Sequence, residues 1–150
     1  MDIDDFDKSY QYGYAGDDYV DILGYDNYWD LGHKANTLSV SEQQKQFVKS
    51  LEKLTDLAES KNKVSALTEG GQEGVTEDRF WSERFWAGVF ANHKTSRISY
   101  ALVWRNNNED NGKKGHYFAT FAQEKNAPDF LKSYQNSKTV FIKNIPNLYK

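Results

Sequence analysis

Glu69 closes the run Val64-Ser65-Ala66-Leu67-Thr68, and two glycines, Gly70 and Gly71, follow it directly. An apolar run bounded by glycine reads as a strand buried on both faces. A glycine pair lets the backbone turn at once where the strand ends. The pattern therefore puts a carboxylate at the carboxyl end of a buried strand, where parallel α/β proteins carry out their chemistry. Two aromatic residues recur at comparable intervals on either side: Tyr28 before Glu69 and Trp104 after it. Each interval is close to one β/α unit with its loops, roughly 30 residues or somewhat more. The three residues are thus expected at one end of three successive parallel strands, converging in space. A carboxylate flanked by aromatic faces suits a nucleophile for sugar chemistry, because flat rings with polar rims pack against sugar faces. Such a nucleophile must be ionised, which calls for a hydrogen-bond donor beside it; Tyr28 is the candidate.

Positioning these residues requires alternating elements, and the sequence supplies them. Tyr19 to Asp26 reads as a first strand, and Asn27 to Asp30 opens a loop. Ser41-Glu42-Gln43-Gln44 has a capping-box pattern. It predicts a helix in which Phe47, Val48, Leu51, Leu54, Leu57 and Ala58 recur at helical spacing, ending near Lys61-Asn62. The Glu69 strand comes next. A second helix is expected over about Glu77 to Asn92, with Phe80, Trp81, Phe85, Val89 and Phe90 inward and Trp81 and Trp86 in packing roles. Arg97 to Trp104 reads as the third strand, residues 106–115 as a polar loop, Pro128 to Tyr134 as a short helix, and the rest as irregular. The order strand–helix–strand–helix–strand–helix predicts an α/β fold with a parallel sheet and right-handed crossovers. Residues 1–18 are acidic and rich in Tyr and Gly. They lack the central Gly and terminal Glu of an EF-hand calcium loop, so a solvated loop is expected.

Composition narrows the function classes. The 150 residues include 4 Trp, 10 Tyr and 9 Phe, an aromatic content of 15%. Net charge is −3 with the basic residues scattered, so no nucleic-acid footprint is present. No apolar run approaches the length of a membrane span, and no signal peptide is visible behind the acidic start. The absence of Cys excludes disulfides and thiolate metal sites. His33, His93 and His116 show no ligand spacing, so packing or surface roles are expected and no metal or other cofactor is proposed.

Three segments carry a family resemblance. Tyr19-Val20-Asp21-Ile22-Leu23-Gly24-Tyr25-Asp26-Asn27-Tyr28, Ala66-Leu67-Thr68-Glu69-Gly70-Gly71 and Ile98-Ser99-Tyr100-Ala101-Leu102-Val103-Trp104-Arg105-Asn106 resemble the last three strands of glycoside hydrolase family 26, mostly endo-β-1,4-mannanases. The stretch around Phe80-Trp81 and the ending from Asp129 to Lys150 are similar too, so the likeness spans nearly the whole chain. The family usually carries Thr-Glu-Thr-Gly at its nucleophile; here the motif is Thr68-Glu69-Gly70-Gly71. The resemblance implies that residues 1–150 are the C-terminal portion of a catalytic domain, three β/α units (strands 6–8) of an incomplete (β/α)8 TIM barrel. It implies retaining endo-hydrolysis of β-mannan, polysaccharide or oligosaccharide, with Glu69 as nucleophile. Tyr28 would support it, Trp104 would form the floor under the sugar, and Arg105 would donate to a neighbouring subsite. Asp26 would orient Tyr28, bind substrate, or serve only the strand end. The family's acid/base is a Glu following a His on strand four, and no His-Glu pair occurs in this chain. The fragment alone is therefore expected to be inactive without the missing N-terminal barrel units. Asp26, Glu73 and Glu77 are the second carboxylates nearest the site, the last two in a flexible loop. The full-length protein would be secreted, periplasmic or on the cell surface. A β-glucan or xylan hydrolase and a non-catalytic carbohydrate-binding fragment are the alternatives.

Overall fold

The computed structural model describes residues 5–107 and 116–147. Three strands, β1 (Ile22–Asn27), β2 (Val64–Gly70) and β3 (Ala101–Val103), form one sheet in the order β1-β2-β3, and both pairings are parallel. Parallel neighbours cannot be joined by a hairpin, so helical connections intervene, as the alternation of sequence patterns predicts. Helix α2 (Val40–Ser60) joins β1 to β2, and a helical segment spanning residues 80–89 joins β2 to β3.

Helix α2 forms as its periodicity requires. Phe47, Leu51 and Leu54 are completely buried, and Leu57 and Ala58 nearly so. Its start differs from the expected one by a single frame. Ser39, not Ser41, is the cap: its hydroxyl accepts from the Glu42 amide, and the Glu42 carboxylate accepts from the Ser39 amide. Both frames have the right residue types, but Glu42 is a charged acceptor in the first turn and bonds more strongly than Gln44 could.

Four other elements depart from expectation. Phe6–Gln11 forms a short helix, α1, where a solvated loop was expected. Phe6 is buried against Leu23, Leu54 and Leu57, and its ring meets Tyr25 edge-on at 5.4 Å. The first strand starts at Ile22, leaving Tyr19 83% exposed. The second helix is not continuous over 77–92. It is a π-helical turn, Phe80–Phe85, running into a one-turn α-helix, α3 (Trp86–Val89). Phe80, Trp81, Arg84 and Phe85 are all buried, the i, i+1, i+4, i+5 pattern of one helical face. The third strand is only three residues long, preceded by a 3-10 turn at Thr95–Arg97. Its upstream residues still bond to β2, with Ser99 N donating to Ser65 O at 2.8 Å and Leu67 N to Tyr100 O at 3.1 Å. The path is extended as expected but too irregular for a ladder.

Helix α4 (Ala127–Tyr134) forms with proline in its first turn, as expected. Asp129 fastens it by accepting from the Ser82 amide at 2.9 Å and the Ser82 hydroxyl at 2.6 Å. Most of the polar loop over 106–115 lies outside the described residues. Two apolar clusters hold the fold together. One joins α2 and β2 to the aromatic rings of residues 80–90; the other joins α1, β1 and the far end of α2.

Candidate active site

Tyr28, Glu69 and Trp104 follow or end β1, β2 and β3, so parallel pairing puts all three at the same edge of the sheet. The Tyr28 hydroxyl donates to Glu69 Oε2 at 2.8 Å. Burial raises the Tyr28 phenol above its usual range, and the Glu69 carboxylate beside it adds to the rise. The phenol therefore keeps its proton and serves as a donor. The Trp104 amide donates to Gly70 O at 3.3 Å, which sets the indole beside the end of β2. Asp26, Tyr28, Glu69 and Trp104 all line one groove of about 940 Å³.

A bulge aims Glu69. Tyr25 pairs with Leu67, but the next β1 residue, Asp26, pairs with Glu69, so Thr68 is an extra residue in β2. Bulges of this kind re-aim a side chain at the end of a ladder. The Thr68 hydroxyl donates to Asp26 Oδ1 at 2.8 Å. Its side chain fills the space over Gly24, where any Cβ would come within 2.5 Å of Thr68 Cγ2. Asp26 therefore has Thr68 as its partner, while the Tyr28 hydroxyl donates to Glu69. Arg105 is exposed, with its guanidinium 5.9 Å from the centre of the Trp104 ring, in cation–π range at the rim.

The loops after β1 and β2 are fastened from below. Asn27, 1% exposed, donates to Asp30 Oδ2 at 2.9 Å and accepts from the Asp30 amide at 3.0 Å. Burial pushes the Asp30 carboxyl up, and the Asn27 hydrogen bond opposes that shift. Gln72 accepts from the Thr76 amide at 2.7 Å and donates to Glu77 Oε1 at 3.0 Å. Arg84, 2% exposed, links both loops to α2. It donates to Asp30 O at 3.0 Å, Glu77 Oε1 at 3.0 Å and Gln43 Oε1 at 2.8 Å. Glu77 is thus a structural carboxylate held by Arg84 and Gln72, not a second acid in a flexible loop. Glu73 is exposed and pairs with His116 Nδ1 at 2.6 Å.

Several groove residues were not singled out from the sequence. Phe118, 7% exposed, meets the Tyr28 ring edge-on at 5.3 Å and packs against Gly71, whose φ of +135° only glycine adopts readily. Asn106 Oδ1 accepts from the amides of Phe118 and Ala119 and so holds that segment in place. His33 and His116 line the groove, although neither has a spacing that would reveal it. Among the described residues no group of three or more His, Asp or Glu side chains converges as a metal site would require, and no helix is long and apolar enough to cross a membrane.

Comparison with known proteins bears on the family and the fold. The model of glycosyl hydrolase family 26 matches residues 2–102. A β-mannanase of that family from Bacteroides ovatus is 32% identical, with a TM-score of 0.71 over 91% of this chain and 36% of its own. A modular endo-β-1,4-mannanase from Cellulomonas fimi is 25% identical, with a TM-score of 0.74 over 93% of this chain and 29% of its own. A family 26 protein from Muricauda shares the fold at 23% identity and a TM-score of 0.74, over 95% of this chain and 36% of its own. The chain thus spans about a third of the length of these relatives. With two thirds of its residues inside the family match, and a family relative 32% identical over 91% of this chain, this chain belongs to glycosyl hydrolase family 26.

Proposed function

We propose that residues 1–150 supply strands 6–8 of a (β/α)8 barrel that hydrolyses β-1,4-mannosidic linkages with retention, and that Glu69 is its nucleophile. The observation that carries this reading is the 2.8 Å hydrogen bond from the Tyr28 hydroxyl to Glu69 at the carboxyl ends of adjacent parallel strands. Glu69 attacks the anomeric carbon of the sugar lying on Trp104 and forms a glycosyl-enzyme ester, while the leaving oxygen takes a proton from a second carboxylic acid. Water then attacks the ester, activated by that same second carboxylate. Tyr28 holds Glu69 with one oxygen engaged and the other free to attack. Arg105, stacked over Trp104, donates to hydroxyls of the next sugar, and Asp26, bridged by Thr68, lines the cleavage subsite.

The second carboxylate comes from outside this chain, on the opposite side of the sugar. Glu77 is bound to Arg84, Glu73 is bound to His116, and Asp26 shares the Glu69 strand edge. A retaining pair needs its carboxyl groups about 5–5.5 Å apart across the scissile bond, and each of the three is already engaged with another partner, Asp26 with Thr68. Mannan is too large to cross a membrane, which supports action in a secreted, periplasmic or cell-surface protein. Mannanase relatives favour mannan over β-glucan or xylan as the substrate.

The test is Glu69→Ala in the protein expressed from its complete coding sequence. Hydrolysis of galactomannan should vanish while binding persists. Azide should restore turnover of an activated mannoside and give a product of inverted configuration. Near-normal turnover by the variant would remove Glu69 from the mechanism.

A further inference from the structure

Trp29 is 51% exposed, although the turn that carries it is firmly held. The 3-10 turn Trp29–Leu31 is anchored by Leu31, which is completely buried, and by the Asn27–Asp30 bonds beneath it. Asn36 Nδ2 donates to Trp29 O at 2.9 Å and fixes it from the other side. The turn is thus fixed by Leu31, Asn27 and Asn36, while about half of the indole stays open to solvent. The His33 ring stacks on the indole, 5.2 Å between centres and 25° from parallel. Gly32 makes this possible: its φ of +93° folds the chain back, and a Cβ there would lie 2.3 Å from Gln72 Nε2. His33 Nδ1 accepts from the Ala35 amide at 3.2 Å, so in the neutral ring the hydrogen sits on Nε2, available as a donor. Both residues line the same groove as Glu69 and Trp104. The sheet order puts Glu69 between them: Trp29 follows β1, Glu69 ends β2 and Trp104 follows β3.

We propose that Trp29 and His33 form a second sugar platform, across Glu69 from Trp104, that binds a further ring of the same β-1,4-linked chain. The proposal rests on the reading of the Glu69 site as a polysaccharide hydrolase. The indole supplies a flat apolar face for the C–H face of a pyranose, and His33 Nε2–H donates to one of its hydroxyls. Neighbouring strands lie about 4.8 Å apart, so the outer two strand ends are roughly 10 Å apart. A short run of linked sugars can therefore reach both platforms at once.

The test uses the protein expressed from its complete coding sequence, with Glu69→Gln in every arm so that ligand is not consumed. Calorimetric titrations use β-1,4-linked mannobiose, mannohexaose and cellohexaose. Trp29→Ala should weaken mannohexaose binding about tenfold, as expected for loss of one stacking face, and leave mannobiose and the melting temperature nearly unchanged. His33→Ala should weaken the hexaose by a smaller factor, and His33→Phe should recover part of that loss through stacking alone. Trp104→Ala should weaken both manno-oligosaccharides. Trp29→Ala binding both mannohexaose and cellohexaose as tightly as its parent, while Trp104→Ala does not, overturns the platform and leaves the proposed function standing. Equal loss for mannobiose and mannohexaose with a lowered melting temperature makes Trp29 a packing residue and also overturns it. A Trp29 effect on cellohexaose but not mannohexaose keeps the platform and overturns the mannan assignment. A parent that binds none of the three overturns both.

Discussion

The groove is held in two different ways. Beneath Glu69, the loops after β1 and β2 are tied by buried groups: Asn27, Gln72 and above all Arg84. Above Glu69, the side of the Phe118 segment that faces solvent is tied by exposed groups, Asn106 and the Glu73–His116 pair, while its far end is anchored through Thr120 to Trp81 and the buried Asn126. The buried set lies in low dielectric, where each hydrogen bond is strong and each unpaired partner is costly. The exposed set is screened by water, and such pairs contribute little to stability. The strand ends that carry Tyr28 and Glu69 are therefore rigid from below, while the solvent-facing ties of the wall over them are screened by water.

Four substitutions probe this contrast. Arg84→Met should be the most damaging, because it leaves Glu77, Gln43 and the Asp30 carbonyl without their shared partner. A loss of about 3 kcal/mol in denaturant unfolding is expected; an unchanged midpoint would show that the lower network is dispensable. Tyr28→Phe keeps the ring against Phe118 but removes the donor to Glu69. Turnover in the complete enzyme should fall about 10²-fold with stability preserved, and kinetics beside a thermal melt will separate the two. Gly24→Ala should drive Thr68 off its site and cost about 1–3 kcal/mol. A crystal structure of the variant with the Thr68–Asp26 bond intact would contradict the packing argument.

Glu73→Gln should have the smallest effect, about 0.5 kcal/mol or less near neutral pH. Its pH dependence has a definite sign. The His116 hydrogen bond holds the Glu73 carboxyl below its usual range in the folded state. The contribution of the pair is therefore fully present above the ordinary carboxylate range and is lost as pH falls through the lowered value. Melting curves of parent and variant should differ slightly at neutral pH and converge in acid. A gap that widened on acidification would mean the pair is not what holds the Phe118 segment.

Much of the site could be read from the chain because it rests on local patterns. The apolar run into Glu69, the glycines after it and the repeat of β/α units determined which strand ends would meet. Tyr28 as the donor to Glu69 followed from the need for a protonated neighbour, and the structure supplies that bond. The missed features depend on contacts distant in sequence. Arg84 looks like one of many surface cations, yet it is buried and donates to Asp30, Gln43 and Glu77 from separate segments. Phe118 and Asn106 act through a return segment that no periodicity marks. His33 reaches the groove only because Gly32 adopts a left-handed conformation. The short helix over Phe6–Gln11 had a weak signal, Phe6 and Tyr10 one turn apart, inside a segment whose acidity suggested solvent.

The extra residue in β2 acts as a change of parity. Along a strand, odd and even positions address opposite faces. Below Thr68 the count in β2 matches that of β1, and the buried Ser65, Ala66 and Leu67 obey it. Beyond Thr68 the count restarts, so the Glu69 tip is indexed independently of the base. Removing Thr68 would leave the lower ladder paired and take away the hydroxyl that donates to Asp26. One inserted position thus separates two requirements on a seven-residue strand, packing at one end and placing Glu69 in the groove at the other.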